Sequence, residues 1–78
     1  MQGALHMNRL PVNSSHIHTV GYDPLSKTME VEFKNGGLYQ YHGVTSELHD
    51  GVARGKSPGA GLNLIKKLGI PFTKIKKQ

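Results

Sequence analysis

Ten basic residues stand against five acidic ones in this 78-residue chain, and their placement suggests a partner more clearly than their number does. Up to Gly51, Arg9, Lys27 and Lys34 face five carboxylates, a net of −2, whereas residues 52–78 hold seven basic residues and no acid. Arg54 and Lys56 come first, the Lys66-Lys67 pair follows, and Lys74, Lys76 and Lys77 close the series. Such one-sided charge attracts nucleic-acid phosphates or an anionic membrane surface. It equally describes a solvated face that keeps a small protein dispersed. Tyr39 and Tyr41, separated by Gln40, would add rings for an unpaired base to stack on if they are exposed.

Other chemistries fail on spacing. Gly51 to Ser57 reads Gly-Val-Ala-Arg-Gly-Lys-Ser, with three residues between its glycines where a phosphate-binding loop needs four. Gly59-Ala60-Gly61 lacks the third glycine and the βαβ setting of a dinucleotide site. What remains is a helix start at Ser57, flanked by Arg54 and Lys56, where any phosphate could meet free N–H groups. Five histidines raise a metal reading, with His16 and His18 on one strand and His42 on a neighbour; His6 lies near the N-terminus. Nothing completes a tetrahedral set, so no metal or cofactor is expected. Zero Cys removes disulfides, iron–sulfur ligation and thiol catalysis, and suits a reducing compartment. Ser14-Ser15 beside His16 has no nameable orienting group or oxyanion hole, so no hydrolase is expected.

The elements that would position these residues read more plainly. Hydrophobic residues make up 36% of the chain, with two Phe, three Tyr and no Trp, which implies one small domain with a thin core. That leaves little room for a deep substrate cavity and disfavours an enzyme. No apolar run approaches a membrane span, so a soluble, cytoplasmic protein is expected. Met1 to His6 show no periodicity and precede Met7, an alternative start, so a cloning remnant is expected there, with residues 7–78 as the domain.

Ile17 to Tyr22 is β-rich and stops at Asp23-Pro24, a turn signal. Thr28 to Lys34 alternates, placing Met29, Val31 and Phe33 on one face; after Asn35-Gly36-Gly37, Leu38 to His42 returns as a third strand. A two-residue turn would set Phe33 opposite Leu38 and expose the tyrosines. A three-residue turn through Gly37 would set Phe33 opposite Tyr39 and Val31 opposite Tyr41, and the apolar match favours it. Thr45 caps a short helix through Val44, Leu48 and Val52. Ser57-Pro58 opens a second with a stripe of Leu64, Ile65 and Leu68, ended by Gly69. Phe72 to Gln78 alternates and reads as a short edge strand or a basic tail.

Four pieces in order carry a resemblance: Ser14-Ser15-His16-Ile17, Val20-Gly21-Tyr22-Asp23, Met29 to Lys34, and Tyr39-Gln40-Tyr41 with Gly43-Val44. From Arg9 to Ile75 the chain resembles the KTSC domain, which is appended to some lysyl-tRNA synthetases and stands alone in small bacterial proteins. The resemblance implies RNA binding, a conjecture for that family, and carries its hallmark onto Tyr39 and Tyr41, with Ser14-Ser15 as second choice. Where an aromatic stretch would follow Gly55, this chain has Gly59-Ala60-Gly61-Leu62-Asn63, with Asn63 as the counterpart. The expected architecture is α+β: a three-stranded antiparallel meander, a short fourth edge strand, and two helices on one face. The expected function is a non-catalytic RNA-binding module, tRNA included, using the seven late cations for phosphates and Tyr39 or Tyr41 for a base. The alternative is a protein-interaction adaptor that docks through the sheet face or the Leu62 to Leu68 helix.

Overall fold

The computed structural model describes residues 8–76, so the segment read as a cloning remnant and Lys77 both lie outside the described residues. In chain order the elements are β1 (Leu10–Pro11), β2 (Ile17–Asp23), β3 (Thr28–Phe33), β4 (Leu38–His42), α1 (Ser46–Ala53), α2 (Pro58–Lys67) and β5 (Phe72–Lys76). All five strands join one antiparallel sheet in the order β1-β2-β3-β4-β5. The α+β class with two helices holds, but the expected three strands plus one edge strand undercount the sheet. The strand missed is β1. It has two residues, both exposed, and Pro11 cannot donate a ladder hydrogen bond, so it carries no readable alternation. The segment read as an edge strand or tail is β5, which pairs with β4 through Tyr41–Phe72 and Tyr39–Lys74.

Local chemistry explains the turns. Asp23 accepts from the Leu25 N–H at 3.1 Å and the Ser26 hydroxyl at 2.9 Å, closing the β2–β3 connection. Between β3 and β4 neither expected register is found: Val31 lies opposite Tyr39, Met29 opposite Tyr41, and Glu32 opposite Leu38. The Phe33 N–H donates to the Gly37 carbonyl at 2.8 Å, leaving Lys34, Asn35 and Gly36 as the loop. A three-residue turn therefore forms, but Gly36, at φ 98°, takes the left-handed position assigned to Gly37. The pairings move by two residues from the favoured register, so the faces are conserved and apolar still meets apolar.

Thr45 caps α1 by accepting from the Leu48 N–H at 3.3 Å. Ser57 caps α2 with Pro58 in its first turn, and Gly69 at φ 75° ends it. The stripe on α2 differs from the expectation: its buried residues are Pro58, Leu62 and Ile65, while Leu64 and Leu68 stay 48% and 59% exposed. Only the face of α2 that carries Pro58, Leu62 and Ile65 is buried against the core, and Leu64 and Leu68 are rotated away from it. The core joins Ile17, Val20, Met29, Val31 and Tyr41 from the sheet to Val44, Val52, Leu62 and Ile65 beneath and within the helices.

The opposite sheet face hides a carboxylate. Glu30 is buried; its Oε2 lies 3.3 Å from Arg9 Nε, and its Oε1 accepts from Gln40 Nε2 at 2.9 Å. Glu32, beside it, accepts from the Thr19 hydroxyl at 3.0 Å. Replacing Arg9 by Ala strips a buried anion of its counter-charge, but the Arg9 side chain is itself 32% exposed, so water reaches the pair and tempers the loss. The expected destabilisation is about 1–2 kcal/mol by urea titration. Adding Glu30→Gln to Arg9→Ala should recover part of it, and an additive double variant would show that the pair is not coupled.

Candidate nucleic-acid interface

Strand alternation places Tyr39 and Tyr41 on the same sheet face as Met29, Val31 and Phe33, and pairing with β5 brings Phe72 and Lys74 alongside them. The rings form a connected set. Phe33 meets Tyr39 edge-on at 5.5 Å between centroids, and Phe72 tilts against Tyr39 at 5.6 Å and Tyr41 at 5.7 Å. Lys74 Nζ sits 5.6 Å from the Tyr39 centroid, within cation–π reach. The helices cover the β2–β3 side of this face and leave the β4–β5 end open. Between that end and the segment from Lys66 to Pro71 runs an open groove of about 1190 Å³. Among the described residues its lining contains Lys66 and Lys74 and no acidic residue. Among the described residues neither lysine ion-pairs with a carboxylate.

The two hallmark tyrosines occupy different environments. Tyr39 is half-buried and forms groove floor, whereas Tyr41 is 2% exposed and belongs to the core, with only its edge at the groove. Burial pushes the Tyr41 phenol above its ordinary pKa, and Tyr39 adds to the shift. Phe72, by contrast, is 54% exposed. It was not singled out in the sequence, although Phe72-x-Lys74 repeats the two-residue period of Tyr39-x-Tyr41. Only pairing with β4 shows that the two periods share a face.

The other cations disperse. Lys67 borders a shallower depression on α2 beside Asn63 and Leu64, and Lys76 is exposed at the end of β5, opposite Leu38. Arg54 is the C-cap of α1, with Nε 3.9 Å from Asp50, and Lys56 is exposed in the interhelix connection. Neither lines the groove. Of the second-choice pair, Ser14 accepts from the His16 and Ile17 N–H groups at 3.2 Å each, a turn-forming role at the start of β2. Ser15 Oγ lies 2.9 Å from His16 Nδ1 at an exposed position. His18 is exposed at a bulge in β2, and His42 Nε2 lies 2.8 Å from the Thr73 hydroxyl. Among the described residues these histidines do not converge.

A second aromatic contact lies away from the groove. Tyr22 stacks on His49 at 4.4 Å and donates its hydroxyl hydrogen bond to the Val44 carbonyl, tying the end of β2 to the start of α1. Burial pushes the His49 imidazole below its ordinary pKa; Asp50 opposes the shift and Arg54 adds to it.

A twisted antiparallel sheet with two helices packed over part of one face defines a small α+β domain whose open sheet end forms a concave surface. The chain belongs to the KTSC domain family, whose profile matches residues 13–63. An uncharacterised protein of Stutzerimonas stutzeri is 36% identical over 61 residues, spanning 78% of this chain and 86% of the relative. A protein of Tsukamurella paurometabola is 37% identical over 57 residues, spanning 73% of this chain and 85% of its own. The crystal structure of a KTSC domain protein from Yersinia pestis superposes with a TM-score of 0.80 at 35% identity, covering 91% of this chain and 100% of that one. The profile match contains both hallmark tyrosines and ends before Lys66, Phe72 and Lys74, so one wall of the groove lies outside it.

Proposed function

We propose that this KTSC domain is a non-catalytic RNA-binding module, with tRNA among its candidate ligands, and that the β4–β5 groove is its binding surface. The observation that carries the reading is the pairing of an aromatic floor with two lysines that have no acidic neighbour in the lining. An aromatic floor suits bases and an uncompensated cationic rim suits phosphates, whereas a purely apolar partner would leave both lysines unpaired. The excess of basic residues after Gly51 supplies long-range attraction in the same sense. Lys67, Lys76, Arg54 and Lys56 contribute to that field rather than to the groove itself, and Lys77 adds its charge to the same excess.

Fluorescence anisotropy with labelled tRNA, an unrelated RNA and duplex DNA, each across a salt series, tests this. Each phosphate contact contributes roughly 0.7–0.9 to the slope of log affinity against log salt, so Lys66→Gln with Lys74→Gln should flatten the RNA slope by roughly 1.4–1.8. Absence of RNA binding at low salt overturns the reading.

A second reading, a protein-interaction adaptor, draws on Leu64 in α2 and Leu68 at its C-cap, which lie one turn apart and are both about half exposed or more. Binding to a partner protein that persists at high salt and is lost on Leu64→Ser with Leu68→Ser would favour it. No helix among the described residues is long and apolar enough to cross a membrane.

A further inference from the structure

We infer that the groove takes a single-stranded RNA segment rather than a duplex, and that Phe72 is the ring on which its base stacks. The inference rests on the RNA-binding reading above and deepens it. In an A-form duplex every base is stacked between its neighbours and only edges, sugars and phosphates face the protein. An aromatic surface offers no stacking partner to such a duplex, because a base must leave its own stack before it can lie on a protein ring. Unpaired nucleotides present that face at little cost.

Accessibility selects the ring. Tyr41 is 2% exposed, so its faces are occupied by the core. Tyr39 has Phe33 at one edge and Lys74 over its ring, so its free surface is already shared. Phe72 touches both tyrosines, lines the groove and is itself 54% exposed, the most open of the three rings. Lys74, two residues along β5 on the same face, and Lys66, across the groove on α2, can take the phosphates flanking a base stacked there. Phe72 and both lysines lie beyond the profile match, so this platform is built from the end of α2 and from β5 rather than from the hallmark tyrosines.

The test titrates labelled oligoadenylate, and an RNA duplex of the same length, into the full chain and its Phe72→Ala and Phe72→Tyr variants. Circular dichroism should show an unchanged fold, since Phe72 lies outside the core cluster. Removing one stacked base contact should weaken the single strand by about 5- to 150-fold and leave the weaker duplex affinity unchanged. Phe72→Tyr keeps a ring of the same shape and should retain most of the affinity. Equal affinity for duplex and single strand, or an undiminished Phe72→Ala variant, overturns this inference while RNA binding itself stands. Binding of neither RNA overturns the RNA-binding reading and this inference together.

Discussion

Gly61→Ala should destabilise the protein by about 3 kcal/mol, although helix propensity alone predicts a gain of roughly 1 kcal/mol for replacing a mid-helix glycine. The reason is the crossing of α1 and α2. A Cβ on Gly61 would overlap the Gly51 carbonyl oxygen, with the carbonyl carbon only 2.7 Å away and the Val52 nitrogen 3.0 Å away. All three atoms are backbone, so no side chain can swing aside and the two helices must separate. Separation would open the contact around Val52, Leu62 and Ile65, all of which are core residues. Gly51→Ala provides the control, because a Cβ there meets nothing within 4 Å. That variant should be neutral or more stable by up to about 1 kcal/mol. For a domain of this size each kcal/mol moves the melting temperature by roughly 4–8 °C, so scanning calorimetry separates the two variants easily. A Gly61→Ala protein that melts with the wild type would show that the helices do not approach this closely.

Tyr41→Ala should cost about 3–5 kcal/mol, the usual penalty for deleting a buried aromatic ring. At roughly 0.05–0.15 kcal/mol per residue, that is a large share of the stability of so short a chain. Tyr41→Phe keeps the ring in the core and should cost less than about 1.5 kcal/mol. The pair of variants distinguishes a fold role for the second hallmark tyrosine from a stacking role. If Tyr41 stacked a base, Tyr41→Ala would lose RNA affinity while its melting temperature stayed near that of the wild type. The buried phenol also sets an alkaline limit. Its folded pKa is raised above the unfolded value of about 10, so the folded state holds the proton more tightly. That stabilisation is fully present below about pH 10 and is lost as pH rises through the raised folded value. Circular dichroism followed through an alkaline titration should show Tyr41→Phe unfolding at higher pH than the wild type.

Residue order alone determined the local pieces of this protein, because each depends on chemistry within a few neighbours. Strict alternation marked β3, and Asp23-Pro24 and Asn35-Gly36 marked turns where the backbone needs a side-chain acceptor or a positive φ. Thr45, Ser57 and Gly69 marked helix ends because orphan N–H and C=O groups must be satisfied there. The hallmark tyrosines and the late cations were legible in the same way, as residue types at a spacing. Tertiary structure decided the rest. The two-residue shift between β3 and β4 conserves every face, so alternation cannot choose it; the choice rests on how whole rows of side chains pack. Phe72 reaches Tyr41 across thirty residues of chain, and no local preference specifies that partner. Glu30 alternated as a solvent-facing residue, yet Arg9 and Gln40 cover it. Of the stripe Leu64, Ile65 and Leu68 only Ile65 is core, because the orientation of α2 turns Leu62 inward beside it and leaves the two leucines exposed. Short-range chemistry sets backbone conformation and the side of an element that is apolar, whereas burial is a sum over distant partners that exists only once the sheet and helices have closed on one another.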